Sequence, residues 1–252
     1  MISGESQPPC STGVTGMTAP ETAMILAAGR GTRMGPLTQD RPKPLLSLGG
    51  RALVDYVIDR LLAAGVRRIV VNLHHHADLL QAHLQRRDDV ELLFSDERNA
   101  LLDTGGGLAR ALPLLGAAPF FAVNGDAVWF DAAAPALGRL AARFDPGAMD
   151  GLLLLMPSVR ATGYRGRGDF EMGADGRLIR RQERAVTPFV YTGVQLLSPT
   201  LFDGHPAGAF SLNLLYDQAI EQGRLFGLRH EGDWMELNTP EGLAAAEAAL
   251  AP

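Results

Sequence analysis

The chain of 252 residues is nearly without lysine and cysteine. A single cysteine, Cys10, excludes an internal disulfide and a cysteine-built metal centre, as expected of a protein working in a reducing cytoplasm. Of the 23 basic side chains only Lys43 is a lysine. No apolar run approaches the roughly 18 residues of a membrane span. A formal net charge of −5 with no basic tract argues against nucleic acid or an anionic membrane as the main partner. Aromatic residues are only 6% of the chain, yet hydrophobic residues reach 46%, which at this length suffices for a sizeable core.

Residues 1–22 are rich in Ser, Thr, Gly and Pro and have no hydrophobic period, so they read as a disordered extension. They lack the basic start and long apolar stretch of a secretory signal, and either Met17 or Met24 would serve as an alternative start. From residue 23 onward short apolar runs alternate with helix-length amphipathic ones. Strands are expected at 23–28, 67–73, 90–95, 120–126 and 150–157. Helices are expected from Leu53 to a Gly65 cap and over 77–87, 106–115 and 132–143. That alternation predicts an α/β fold with a mostly parallel sheet and helices on both faces. Further on, 167–181 reads as a hairpin turning at Ala174-Asp175-Gly176 and 189–197 as a strand. Ser211 would cap a helix running through Gln222, and Thr239-Pro240-Glu241 would start the last one. No linker or repeat divides the chain, so a single domain is expected over 23–252, with a nucleotide half up to about 150 and a second-substrate half after it.

The stretch "AAGRGTRMGPLTQDRPKPL" (27–45) follows the first strand. Ligands of parallel sheets bind beyond the carboxyl ends of strands, where glycines let backbone N–H groups approach an anion. Neither common phosphate motif fits. A dinucleotide fingerprint needs glycine where Met34 stands, and a Walker loop needs lysine where Pro36 stands. Arg30, Arg33, Arg41 and Lys43 around one glycine turn would repel each other without an anion between them. Lys43 survives a bias that favours arginine everywhere else, and a compact ammonium meets a phosphate differently from a guanidinium.

Those residues, "LAAGRGTRMGPLT" followed by "RPKPL", resemble the signature of the sugar-1-phosphate nucleotidyltransferases, with Met34 for the usual Leu. The resemblance runs from Ala23 to the C-terminus and implies a Rossmann-like (GT-A-like) fold, Mg²⁺ (with Mn²⁺ as a substitute) and two substrates, a nucleoside triphosphate and a sugar 1-phosphate. It implies that Leu26, Ala27, Ala28, Gly29, Arg30, Gly31 and Thr32 line the nucleotide and that Arg33 joins Gly29, Gly31 and Thr32 around the triphosphate. Lys43 would stand between the α-phosphate and the sugar phosphate. Asp126, in "VNGDAVW", matches the family's Mg²⁺-binding aspartate, so that Arg33, Lys43 and Asp126 form the catalytic set.

The family's second metal ligand lies in W-x-D-x-G-T-P, and here Trp234-Met235-Glu236-Leu237-Asn238-Thr239-Pro240 puts Glu236 for Asp and Asn238 for Gly. Two readings stand: Glu236 reaches the metal, or it faces solvent and Asp126 holds the ion alone. In "LLDTGGGLARAL" (101–112), Gly105 and Gly106 would lie against a flat base. Asp103 and Thr104 would bond sugar hydroxyls, or Thr104 would merely cap the helix. With "GRGDF" (166–170) and "TGVQLL" (192–197), that segment is more similar to the branch that uridylylates N-acetylmuramate 1-phosphate for cell-wall recycling than to the guanylyl-transferring branch. It marks Asp169 and Thr192 as sugar contacts. Gln182-Glu183-Arg184 stands nearest to the family's E-K-P, which implies that Arg184 meets the sugar phosphate and Glu183 the sugar hydroxyls; the competing reading is an exposed strand end. His74, His75 and His76 have no HExxH spacing and their rings cannot converge on zinc, so they read as a loop near the nucleotide, with Asn72 and His74 lining it. Two other functions stay open: guanylyl transfer to mannose or heptose 1-phosphate, and a non-catalytic nucleotide-sugar sensor. Oligomeric state is unreadable.

Overall fold

A computed structural model describes residues 19–250. Most of the expected N-terminal extension, with Cys10 and Met17, lies outside the described residues. The last residues of that extension belong to the fold: Pro20 is buried, and the Glu21 carbonyl accepts from the N–H groups of Arg67 and Arg68 at 2.8 and 3.1 Å.

Strand β1 (Thr22–Leu26) leads through two 3-10 turns, Thr32–Thr38 and Lys43–Leu45, into a ribbon of β2 (Ser47–Leu48) and β3 (Arg51–Ala52) and then α1 (Leu53–Ala63). The alternation continues with β4 (Arg68–Leu73), α2 (Ala77–Leu84), β5 (Glu91–Asp96), α3 (Asp103–Leu115) and β6 (Phe120–Asn124). Then follow β7 (Val128–Phe130), α4 (Ala136–Arg143) and β8 (Gly151–Pro157). The last third holds β9 (Phe170–Met172), β10 (Leu178–Arg180), β11 (Phe189–Leu197), α5 (Asn213–Glu221), β12 (Leu225–Arg229), β13 (Asp233–Met235) and α6 (Pro240–Leu250).

The parallel core is β6-β1-β4-β5, and β11 joins it antiparallel beside β6, bringing β8, β9, β10 and β12 into the same nine-stranded sheet. Alternate residues serve opposite faces, as a strand's period of two requires. Ala23, Ile25, Ile69, Val71, Phe121 and Val123 pack into one apolar layer, whereas Met24, Val70, Phe120 and Ala122 pack into the other. Both faces are covered, which is why these strands read as unbroken apolar runs. A third, smaller cluster sits at the carboxyl edge of the sheet, where Met34 meets Leu46, Leu53, Leu237 and Ala246. Met34 is fully buried there and so ties the glycine-rich loop to α6.

Several elements depart from the expectation. Helix α3 begins at Asp103 rather than 106, α4 begins at Ala136 rather than 132, and β2, β3, β7, β12 and β13 are additional. Strands β7 and β13 form a sheet of their own, three residues against three, too short for a period to show. Ser211 does accept from the Asn213 N–H at 3.3 Å, and Thr239 caps α6 through the Gly242 N–H at 3.1 Å, the latter as the sequence predicts. Among the described residues no helix is long and apolar enough to cross a membrane.

Candidate active site

Beyond Leu26 the chain leaves the sheet, and the N–H groups of Ala27 and Ala28 both turn to the side-chain oxygen of Asn72, at 2.7 and 3.2 Å. Asn72, on β4, is in turn fixed by Glu97, whose Oε1 accepts from Asn72 Nδ2 at 2.8 Å while its other oxygen accepts from the Leu102 N–H at 3.1 Å. Glu97 is 1% exposed and no sequence signal marks it. One buried carboxylate thus joins three segments around the first strand's end. Gly31 adopts φ +63°, and a Cβ there would lie 3.2 Å from that of Lys43, so the loop can fold back on itself only with glycine at this place. Thr38 Oγ1 closes the turn by donating to the Gly31 carbonyl at 3.1 Å.

The histidine run completes this wall. His74 Nδ1 meets the Glu97 carbonyl at 2.8 Å, His75 Nε2 the Thr38 carbonyl at 3.2 Å and His76 Nε2 the Gln39 carbonyl at 2.9 Å. A ring nitrogen facing a carbonyl must carry the proton, so three consecutive side chains act as three donors that fasten two loops to the end of β4. No group of three metal-ligating side chains occurs among the described residues.

These loops enclose a cavity of about 440 Å³, bordered by Leu26, Ala27, Ala28, Gly29, Gly31 and Arg33 on one side and by Asn72, Asp103 and Thr104 on the other. Thr32 borders a small recess beside it together with Arg33 and Lys43, while Arg30 is exposed and borders neither. Gly105 does not face the cavity, which corrects the expectation of a flat base against its backbone. Its N–H donates to the Phe210 carbonyl at 3.0 Å, and a Cβ on it would clash with the edge of the Phe210 ring. Thr104 caps neither its own helix nor an empty space: its hydroxyl accepts from the Leu212 N–H at 2.9 Å.

A second cavity of about 450 Å³ adjoins the first, and Arg33, Asn124, Asp126 and Asn238 border both. At this junction the Lys43 ammonium pairs with Asp126 and donates to Asn238 Oδ1 at 2.7 Å, while Asn238 Nδ2 donates to Glu236 Oε1 at 3.0 Å. Lys43 is 9% exposed. The substitution of Asn for Gly at 238 therefore supplies a bridge from the ammonium to Glu236, and Glu236 borders the second cavity rather than facing away. Asp126 and Glu236 form an all-oxygen pair, a donor set that suits Mg²⁺ or Mn²⁺ once phosphates and water complete it.

Asp169 and Thr192 also border the second cavity. Asp169 Oδ2 accepts from the Tyr191 N–H at 2.9 Å where β11 breaks register, and Thr192 Oγ1 donates to the Leu154 carbonyl at 2.8 Å. Glu183 and Arg184 do not reach it. Arg181 gathers the carbonyls of Gly168 and Glu183 at 2.9 and 3.0 Å, which folds 182–185 around its guanidinium and leaves both expected side chains exposed. The wall they were expected to supply is made by Tyr164 and Arg165 instead. Burial raises the Tyr164 phenol above its ordinary value, so it stays protonated.

The family described as "Nucleotidyl transferase" matches residues 22–188. A Caulobacter vibrioides protein named N-acetylmuramate alpha-1-phosphate uridylyltransferase is 44% identical over 92% of this chain and 98% of its own length. One of the same name from Neisseria meningitidis serogroup B is 36% identical over 90% and 96%. Among solved structures, the inositol-1-phosphate CTP transferase of T. maritima superposes with a TM-score of 0.72, covering 94% of this chain and all of that one, at 19% identity.

Proposed function

The chain belongs to the nucleotidyl transferase family, and we propose that it moves a uridylyl group from UTP to N-acetylmuramate 1-phosphate, releasing pyrophosphate. The observation that carries this reading is the meeting of two cavities at Arg33, Asp126 and Asn238, with the Lys43 ammonium held at the junction. Two substrates can occupy the two cavities and present their phosphates to each other only there. In this reading the nucleotide lies mainly against residues up to about 150 and the sugar phosphate mainly against those after it. The junction residues cross this division: Asn238 reaches from the later part into the nucleotide cavity, and Arg33, Asn124 and Asp126 reach from the earlier part into the sugar cavity. UTP and recovered cell-wall sugar meet in the cytoplasm, which is where the reaction is placed.

An oxygen of the sugar phosphate attacks the α-phosphorus of UTP, and the bond to the departing pyrophosphate breaks. A phosphate monoester has a second pKa near about 6, so at neutral pH it is already a dianion and needs no general base. The barrier lies in bringing polyanions together: two unit charges about 4 Å apart repel by roughly 4 kcal/mol at an effective dielectric of about 20. Lys43 and Arg33 neutralise charge at the junction. The main chain of Gly29, Gly31 and Thr32 receives the triphosphate, and Asp103 with Thr104 faces the ribose. Asp169 and Thr192 face the sugar. Asp126 and Glu236 would hold Mg²⁺, which supplies further positive charge to the phosphates.

The test is pyrophosphate release over four nucleoside triphosphates and a panel of sugar 1-phosphates. UTP with N-acetylmuramate 1-phosphate is expected to be fastest, and Lys43→Met to lose about 10²–10³-fold in kcat with the fold intact by circular dichroism. Tight nucleotide binding with no turnover of any pair would instead indicate a sensor.

A further inference from the structure

The second cavity holds a positive charge that the phosphoryl chemistry does not use. Arg165 borders this cavity and not the nucleotide cavity, whereas Arg33 borders both. The segment that carries it is fastened on each side. Thr162 forms a bridge to the β13 ribbon, its N–H donating to the Trp234 carbonyl at 3.2 Å and its carbonyl accepting from the Glu236 N–H at 2.9 Å. The Tyr164 ring tilts against Trp234 at 6.4 Å, and its hydroxyl accepts from the Gly168 N–H at 2.8 Å. Arg165 is therefore presented by a loop tied to the strand end that bears Glu236.

The cavity's acidic groups are engaged elsewhere: Asp126 with Lys43, Glu236 with Asn238 and Asp169 with the Tyr191 N–H. Arg165 is left without an acidic partner among the described residues. Three carboxylates in one cavity repel any additional anion on the sugar, so a substrate with a second negative group needs a cation away from the reacting phosphate. A guanidinium suits that role, because its planar fork matches the two oxygens of a carboxylate.

We propose that Arg165 binds the carboxylate of the 3-O-lactyl ether, the group that distinguishes N-acetylmuramate from N-acetylglucosamine. This rests on the substrate reading above. Arg165 thereby sets sugar preference by attraction: a sugar lacking the carboxylate leaves an exposed guanidinium in water at little cost, and gains nothing.

The experiment compares wild type, Arg165→Met and Arg165→Lys on N-acetylmuramate 1-phosphate, on its lactyl amide and on N-acetylglucosamine 1-phosphate, with UTP as the second substrate. Arg165→Met is expected to raise the KM for N-acetylmuramate 1-phosphate about tenfold to a hundredfold, with the KM for UTP moved less than threefold. Arg165→Lys should recover part of this. The amide should cost wild type a similar factor and cost Arg165→Met almost nothing more, since charge and partner act as one pair. Equal losses on the acid, the amide and the unsubstituted sugar overturn the proposal, as does an unchanged KM. A wild-type enzyme that turns over other sugar phosphates but not N-acetylmuramate 1-phosphate overturns the substrate reading, and the role of Arg165 falls with it. Normal wild-type turnover with unaltered selectivity in the variants removes Arg165 alone.

Discussion

An ammonium has three protons to donate, and Lys43 gives two of them to Asp126 and Asn238. One remains for a phosphate oxygen at the junction of the cavities. Asn238 does more than occupy a position where glycine is usual, because its amide ties this ammonium to Glu236. The sequence marks Lys43 by its singularity and Asp126 by its motif. It marks Asn238 only as a departure from the usual glycine, since an amide carries no charge to betray its role, and says nothing of Glu97, whose partners Asn72 and Leu102 acquire meaning only once folded. The two carboxylates make separable contributions. Asp126→Asn leaves Lys43 without its counter-ion and should lower kcat about 10²–10³-fold at any Mg²⁺ concentration. Glu236→Gln keeps the shape and should chiefly raise the Mg²⁺ concentration for half-maximal rate, by about tenfold to a hundredfold. Titrating pyrophosphate release with Mg²⁺ after chelator treatment measures both. An unaltered Mg²⁺ curve for Glu236→Gln would leave Asp126 as the sole carboxylate ligand.

Helix α3 shows why local propensity misplaces an element's start. Its first three residues, Asp103, Thr104 and Gly105, are poor helix formers, and on propensity alone they belong to a loop. The structure overrides this because the segment 208–210 packs into the space that side chains would fill: the Phe210 carbonyl accepts from both Gly105 and Gly106 at 3.0 and 3.1 Å. The same docking brings the Leu212 N–H to Thr104, and so aligns the Asp103–Thr104 wall of the first cavity. Gly105→Ala would drive a methyl against the edge of the Phe210 ring and to 2.9 Å from its carbonyl oxygen. Overpacking of this kind costs about 1–3 kcal/mol, or a fall in Tm of roughly 3–10 °C for a domain of this size. The KM for UTP should rise as well. A thermal melt and a UTP saturation curve test this, and an unchanged Tm would mean that 208–210 is not docked on α3. The histidine run teaches a similar lesson. Its spacing excludes zinc, but its carbonyl partners at 38, 39 and 97 are far away in the chain and invisible to a local reading.

Across the whole molecule, legibility follows sheet topology. Strands β1, β4 and β6 sit in the parallel core with both faces covered, so their apolar runs identify them at once. Strands β7 and β13 are joined across about a hundred residues by three pairs, and a ribbon so short owes its form to what holds its ends. His230 is a principal fastener: 1% exposed, its Nε2 meets the carbonyls of Phe130 and Asp233, both at 3.1 Å. Burial is the largest influence on this imidazole and lowers its pKa below the ordinary 6.5, against the opposing pull of its two carbonyl partners and of nearby Asp131, while Arg139 adds to the lowering. The unfolded chain therefore takes up the His230 proton at a higher pH than the folded one. Its contribution to stability is complete above about pH 6.5, shrinks as the pH falls below that, and levels off once the folded imidazole itself titrates. His230→Gln keeps a donor for one carbonyl and removes the titration. Its Tm should lie below wild type at pH 7.5, and the gap should narrow steadily between pH 6.5 and 5. Differential scanning at several pH values gives the difference directly, with the other histidines common to both proteins. A gap that stays constant over that range would mean that His230 does not couple folding to pH.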